Sequence, residues 1–335
     1  MSDRFIVCLI IAFVTSLLLA PIVISLSKKF KLSQTILHYV EAHKQKEGTP
    51  TMGGFIFIIA IIFSSLICIR KDFSLGIICL AVMLGFGIIG FLDDYIKIKY
   101  KQNLGLKPYQ KIIGQTLLAV IVAIFAYSSN LVGSEILLPF SKTYVDFGVF
   151  IIPFIVLVFL ALTNSVNLID GLDGLSSGVS LSYIVSFIFI FGASALSMST
   201  ISGVLAVEYQ NLMVVACACA GGLVGFLCFN AYPAKIFMGD TGSLALGGLL
   251  SCISVFSKTE LLIPIIGVMF VVTAVSDIIQ VAYFKKTKKR VFLMAPLHHH
   301  FEKKGVHENR IVLIYILITA VVGMISFLLT KNFAV

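Results

Sequence analysis

The sequence contains no tryptophan, and charged residues make up only 12% of its 335 positions. A soluble domain of ordinary composition carries about twice that charged fraction. Hydrophobic residues make up 59% of the chain instead, and the mean hydropathy is +1.05. The scarcity of charge therefore excludes an ordinary soluble domain. The length of the chain indicates how many membrane spans it can form, rather than how many soluble domains.

The seven cysteines show neither of the two patterns that would give them a chemical role. They have no zinc-ligand spacing and form no paired framework in loops. Every one of them falls within an apolar run, so we interpret them as small core residues. They are Cys8, Cys68, Cys79, Cys217, Cys219, Cys228 and Cys252.

Ten apolar runs of near-spanning length follow one another along the chain. We interpret residues 1–335 as one integral membrane domain. Because lipid tolerates only helices or closed barrels, the runs predict an all-α polytopic membrane protein with about ten transmembrane helices. The first run is too long for a signal-peptide core and lacks a cleavage site, so we expect a retained helix. The eighth run is short and rich in glycine. The runs are 5–26, 53–69, 73–92, 112–130, 148–168, 175–196, 211–229, 243–256, 261–284 and 311–330.

Basic residues concentrate in one set of loops, which holds most of the 25 lysines and arginines and all six histidines. The positive-inside rule places these loops in the cytoplasm and both termini outside. We interpret the net charge of +9 as this bias, not as a surface for nucleic acid. The outer loop 131–147 is expected to form a short hairpin. The cytoplasmic loops are 27–52, 93–111, 164–174, 230–242 and 285–310.

Three acidic motifs lie in these cytoplasmic loops. Asp93 and Asp94 form an adjacent pair. Their carboxylates repel each other, so the pKa of one is raised unless a cation neutralises them; the alternative is a solvated pair that ends a span. Asp240 is flanked by glycines at a predicted helix start, where it would hold a divalent metal near a phosphate or serve as an N-cap. A third motif has polar residues at every third position, so their side chains lie near one helix face and can converge on a ligand. The alternative is a polar helix end with no ligand. The residues of this motif are Asn164, Asn167, Asp170 and Asp173.

Two further segments add cations and hydroxyl groups at the same face. The histidines His298, His299 and His300 follow a proline inside the chain, where imidazoles can act as acid or base, contact phosphate or bind zinc. Segment 46–54 offers Lys46 and Thr51 before the second run. Oxygen ligands without cysteine suit Mg²⁺ and phosphates better than zinc. Phosphoryl transfer needs mainly charge neutralisation and alignment, which such groups supply.

Five motifs carry a resemblance to a known family. They read GTPTMGG at 48–54, DDY at 93–95, NLIDGLDGL at 167–175, FMGDTGSLALGG at 237–248 and MAPLHHHFE at 294–302. In this order they resemble the phospho-N-acetylmuramoyl-pentapeptide transferases, which belong to the polyprenyl-phosphate N-acetylhexosamine-1-phosphate transferases. The last two motifs favour this branch over relatives that transfer GlcNAc-1-phosphate.

The resemblance implies a bacterial inner-membrane enzyme with ten helices, both termini outside and its active site facing the cytoplasm. It implies transfer from UDP-MurNAc-pentapeptide to undecaprenyl phosphate, which yields lipid I and UMP in peptidoglycan synthesis. It also implies Mg²⁺ as cofactor, contact with membrane lipid and a homodimer. The position-three residue of the stem peptide, and the choice between direct attack and a covalent phospho-enzyme, stay open.

Site residues follow from the same resemblance, motif by motif. Asp240 would bind the metal with Asn167 as helper, and Asp93, beside Asp94, would keep the lipid phosphate deprotonated. His298 and His299 would contact phosphates, and Phe237 would stack on the uracil ring. The remaining residues match family positions that lie on the nucleotide side of the active site. They are Lys46, Thr51, Lys111, Asn164, Asp170, Asp173 and Asn230.

The chain departs from the family pattern at a few positions. Val306 stands where many members have tryptophan, and Ile169 replaces threonine. A transporter is the alternative from another class, since transporters place ionisable groups at mid-membrane. Here the acids cluster at inner helix ends, and Asp277 alone lies clearly inside a run, which favours the enzyme.

Overall fold

The computed structural model describes residues 3–30, 48–70, 75–100, 102, 104–141, 143–198 and 203–331. Lys46, one of the expected site residues, lies outside these ranges. The helices are α1 Asp3–Lys29, α2 Gly54–Cys68, α3 Leu75–Lys99, α4 Pro108–Ser128, α5 Ile151–Ile169, α6 Leu175–Met198, α7 Gly203–Asn230, α8 Gly239–Phe256, α9 Ile263–Ile266, α10 Val268–Thr287, α11 Leu297–Lys303 and α12 Glu308–Lys331. The strands are β1 Glu135–Leu137 and β2 Tyr144–Asp146.

The predicted all-α polytopic fold is confirmed. Within the described ranges, nine helices have the length and apolar composition to cross a membrane, and the apolar helix α2 is shorter at 15 residues. The ninth apolar run is interrupted, because Gly267 separates α9 from α10. The hairpin expected in loop 131–147 is present, with β1 pairing antiparallel to β2.

Helix α8 is the central element of the bundle, although its run is short and rich in glycine. It spans 18 residues and 94% of its positions are buried, against 22% for α1 and 28% each for α4, α10 and α12. The glycines of α8 therefore serve close packing rather than a break in the helix. The peripheral helices direct large apolar side chains outward, as lipid requires.

Small residues allow the neighbouring helices to approach α8 closely, as is common in membrane bundles. A Cβ on Gly90 of α3 would overlap the carbonyl oxygen of Asp240, and one on Gly54 of α2 would overlap Gly242. On the opposite side, a Cβ on Gly247 would lie 2.6 Å from Cα of Thr163 in α5. These contacts bring the carboxyl-terminal parts of α3 and α5 against α8.

Candidate active site

Three carboxylates from two helices meet where α3 and α8 touch. Asp93 and Asp94 occupy the carboxyl-terminal part of α3, and Asp240 lies in the first turn of α8. One oxygen of each lies within 4.8 Å of the others, an arrangement that can hold a metal ion. The structure therefore brings together two motifs that lie almost 150 positions apart in the sequence.

Two lysines neutralise much of this negative charge. Nζ of Lys97 lies 2.6 Å from Oδ2 of Asp93 and 2.9 Å from Oδ2 of Asp240. Nζ of Lys111, from α4, lies 2.9 Å from the same oxygen of Asp240. Lys111 was expected at the site from the family resemblance. Lys97 was missed, although its position one helical turn after Asp93 is a spacing that predicts an ion pair.

Asn167 joins the cluster from the end of α5. Its amide nitrogen donates to Oδ1 of Asp240 at 2.7 Å and to Oγ of Ser243 at 2.8 Å. Its amide oxygen accepts a hydrogen bond from Lys111 at 3.3 Å. Asn167 therefore orients Asp240 and offers one oxygen on the same side as the carboxylates.

Asp94 binds the amino-terminal end of α8. The carboxylate accepts hydrogen bonds from the backbone nitrogens of Asp240 at 3.2 Å and Thr241 at 2.9 Å. It also accepts one from the Thr241 hydroxyl at 2.7 Å. Because the first backbone nitrogens of a helix have no partner within it, Asp94 supplies the missing acceptors. Asp94 thereby fixes the position of Asp240.

The backbone conformation and close packing before Asp240 require a glycine. Gly239 has a φ of +73°, and a Cβ there would lie 2.7 Å from Oδ2 of Asp94 and 3.0 Å from Oγ1 of Thr51. Thr51 is fully buried beside this turn. Backbone hydrogen bonds between Phe237 and residues 50 and 53 join the two segments. The first and fourth motifs of the sequence thus form one unit.

Two of the predicted nucleotide-side residues stabilise the loop before α8. Oδ2 of Asp173 accepts a hydrogen bond from the backbone nitrogen of Ala234 at 3.0 Å. Asn230 accepts from Ser177 at 2.8 Å and donates to the carbonyl of Ile236 at 3.0 Å. Both side chains are buried. They hold the segment in which Phe237 stands half-buried.

Asp170 lies in the turn between α5 and α6, close to the cluster. Burial, together with the carboxylates of Asp240, Asp94 and Asp173, raises the pKa of Asp170 well above its usual range. Asn164, one turn before Asn167, directs its amide nitrogen to Oε1 of Gln115 on α4 at 2.8 Å. Asn164 therefore lies at the α4–α5 contact, and its described contacts do not reach the carboxylates.

The histidine motif forms α11 and packs against the same turn. A Cβ on Gly171 would collide with Nε2 of His298 and would lie 3.0 Å from Nε2 of His299. His298 is fully buried, and neither ring nitrogen has a hydrogen-bond partner among the described residues. Burial and the neighbouring His299 lower the pKa of His298 well below its usual value. Nδ1 of His299 lies 2.9 Å from Oε2 of Glu302.

Comparison with known proteins places the chain in a family. A family model described as glycosyl transferase family 4 matches residues 74–258. The chain is 46% identical over 320 residues to a phospho-N-acetylmuramoyl-pentapeptide-transferase of Clostridioides difficile (strain 630), covering 95% of each chain. It is 44% identical to the protein of that name from Clostridium kluyveri (strain ATCC 8527), covering 97% of this chain and 99% of the relative.

A relative from a third genus gives the same result. The phospho-N-acetylmuramoyl-pentapeptide-transferase of Thermoanaerobacter sp. (strain X514) is 44% identical over 328 residues, covering 98% of this chain and 99% of the relative. The shared sequence includes both helices that carry the three carboxylates, since it extends over nearly the whole of each chain. This similarity over almost the full length shows that the chain belongs to the phospho-N-acetylmuramoyl-pentapeptide transferase family.

Proposed function

We propose that this protein transfers phospho-MurNAc-pentapeptide from UDP-MurNAc-pentapeptide to undecaprenyl phosphate, giving lipid I and UMP. An oxygen of the lipid phosphate forms a bond to the sugar-bearing phosphorus. The bond between that phosphorus and the bridging oxygen breaks, and UMP leaves. One phosphoanhydride replaces another, so the reaction is reversible and needs no other energy source.

The observation that carries this proposal is the meeting of the carboxylates of Asp93, Asp94 and Asp240 with the ammonium groups of Lys97 and Lys111. Phosphoryl transfer depends on positioned charge more than on covalent chemistry by the protein. A cluster of both signs at the inner helix ends suits a reaction between a soluble nucleotide and a lipid phosphate. The family membership supports the same reaction.

The donor set of the cluster fits Mg²⁺. Carboxylate and amide oxygens are the ligands that this ion prefers, and all seven cysteines lie elsewhere in the chain. Asp240 would hold the ion, with Asn167 as helper and the neighbouring aspartates close by. When bound, Mg²⁺ neutralises charge on the pyrophosphate oxygens.

Individual side chains of the protein have separate roles in the reaction. Lys111 and Lys97 neutralise phosphate oxygens, and Asp93 keeps the lipid phosphate in its unprotonated form. A phosphate monoester has a second pKa of about 6, so this base matters most at low pH. Phe237 stacks on the uracil ring, with Asp170 on the nucleotide side. We expect His298→Ala to abolish transfer, either through lost phosphate contact or through lost packing of α11.

The cellular arrangement belongs to the same proposal. We place the protein in the bacterial inner membrane as one domain, 1–335, with both termini outside and the cluster facing the cytoplasm. The concentration of lysine and arginine in the loops that adjoin the cluster supports this orientation. A homodimer is the expected assembly, from the family resemblance.

A basic cavity supports a donor that carries an acidic peptide. It has a volume of about 520 Å³ and lies between α10, the loop after it and α11. Lys285, Arg290 and Lys303 line it, with Asp277 as the one acidic residue in the lining. Such a surface would hold the carboxylates of the stem peptide, which a GlcNAc donor does not possess.

Direct assay tests the proposed reaction. Purified protein is incubated with UDP-MurNAc-pentapeptide, undecaprenyl phosphate and Mg²⁺, and release of UMP is measured together with formation of lipid I. Omitting the lipid separates the two routes, since a phosphosugar that stays on the protein indicates a covalent intermediate. Absence of both products under all conditions would refute the proposed activity.

A further inference from the structure

One histidine of α11 is held between a carboxylate and the turn beside the acidic cluster. Nδ1 of His299 lies 2.9 Å from Oε2 of Glu302, one helical turn later. Both side chains are largely buried, with exposed fractions of 14% and 9%. The other ring nitrogen, Nε2, faces Gly171, where a Cβ would lie only 3.0 Å away. The imidazole ring therefore points one nitrogen at Glu302 and the other at the turn.

The neighbouring histidines are placed differently. His298 is fully buried and has no hydrogen-bond partner among the described residues, while Nδ1 of His300 accepts a hydrogen bond from the backbone of Leu293 at 3.1 Å. Of the three, His299 combines a carboxylate partner with partial exposure beside the turn. The carboxylates of Asp240 and Asp94 act electrostatically on Asp170 in this turn, so the turn borders the cluster.

A carboxylate at Nδ1 determines what Nε2 can do. Glu302 accepts the Nδ1 proton and thereby selects the neutral tautomer in which Nε2 carries the lone pair. In the doubly protonated form of a histidine ring both nitrogens donate, so Nε2 can donate to an anionic oxygen while Nδ1 donates to the carboxylate. Partners of this kind orient a histidine and are sensitive to substitution.

We infer that Glu302 is the positioning residue of His299, holding Nε2 of that ring towards a phosphate group of the bound substrates. The inference rests on the proposed phosphosugar transfer. It assigns the phosphate contact in the histidine motif to His299 rather than to the enclosed ring of His298. Glu302 acts only through the ring and does not touch the substrate.

A double-mutant cycle tests this assignment. Turnover of UDP-MurNAc-pentapeptide is compared for the wild-type protein and for Glu302→Gln, His299→Ala and the double variant. We expect Glu302→Gln to lose about 10- to 100-fold in turnover. In the His299→Ala background the same change should lose less than about threefold, because residues that act through one another are not additive. Lys304→Gln, an exposed position on the same segment, is the control.

A spectroscopic measurement separates positioning from packing. In protein with ¹⁵N-labelled histidine, the His299 signals, assigned with His299→Ala, should report a proton on Nδ1, and Glu302→Ala should shift the ring towards the other tautomer. Full turnover in Glu302→Gln, equal losses in both backgrounds of the cycle, or an unchanged tautomer would overturn the inference. Failure of the wild-type protein to release UMP would instead refute the proposed function, since the tautomer is measured without substrate.

Discussion

Nζ of Lys97 lies between two carboxylates on different helices, 2.6 Å from Asp93 on α3 and 2.9 Å from Asp240 on α8. The lysine therefore links the carboxyl-terminal part of α3 to the amino-terminal end of α8 as well as lowering the negative charge of the cluster. Lys111 gives Asp240 a second cation. Three carboxylates against two ammonium groups leave the cluster able to attract a further cation.

The first prediction concerns this lysine. Lys97→Met keeps most of the side-chain length but removes the charge, and we expect turnover to fall about 10²- to 10³-fold, as for other lost electrostatic groups in active sites. Release of UMP measures the loss. Lys99→Met is the control, because its ammonium group lies over the rings of Tyr95 and Tyr100, away from the cluster. Equal turnover in the two variants would show that Lys97 has no role in the reaction.

The second prediction concerns the metal. In Asp240→Asn the protein should fold normally but lose most of its turnover, because the carboxylate that meets Lys97, Lys111 and Asn167 loses its charge. Turnover is measured over a range of Mg²⁺ concentrations, and binding of Mn²⁺ is followed by electron paramagnetic resonance. A variant with near-normal turnover and unchanged Mn²⁺ binding would remove Asp240 from the metal site.

The amino-acid sequence predicts the fold more directly than it predicts the contacts within the candidate site. Apolar run length predicts helices directly, because the bilayer fixes how long a span must be. The contact between Asp94 and the first turn of α8 was not predictable, since it joins residues 147 positions apart. The burial of His298 depends likewise on how α11 packs against Gly171, which no local pattern encodes.

The third prediction separates the two adjacent aspartates. Asp94→Asn replaces one of the two acceptor oxygens by an NH2 group that can only donate, so at least one buried donor at the start of α8 loses its partner. We expect a loss of about 1–3 kcal/mol in the free energy of unfolding, in addition to lost turnover. Thermal unfolding in detergent measures it. Asp93→Asn, which keeps that helix start intact, should change the unfolding temperature less; the reverse order would contradict these roles.

The fourth prediction is an acid dependence of stability through His298. Its pKa in the folded protein lies well below the unfolded value of about 6.5. As the pH falls below about 6.5, the unfolded chain therefore binds a proton that the folded state resists, and stability is lost. In His298→Gln the unfolding temperature should fall less between pH 7 and pH 5 than in the wild-type protein. His307→Gln, an exposed position, should keep the wild-type dependence; identical slopes in all three proteins would exclude the mechanism.

The fifth prediction concerns the choice of donor. The cavity lined by Lys285, Arg290 and Lys303 would bind the peptide carboxylates of the donor. UDP-GlcNAc carries no peptide, so it should be a poor donor. Replacing these three residues by glutamine should raise KM for UDP-MurNAc-pentapeptide, and high salt should do the same to the wild-type protein, because salt weakens attraction between exposed charges.

Lys288 and Lys289 provide the matched control, because both lie in the same basic segment but outside the cavity lining. If basic charge in this segment serves only membrane topology, replacing either set should leave KM unchanged. A purified protein that used UDP-GlcNAc as well as the muramoyl-pentapeptide nucleotide would refute the specificity proposed for the cavity. The broader assignment as a phosphosugar transferase would stand, because the acidic cluster does not depend on the peptide.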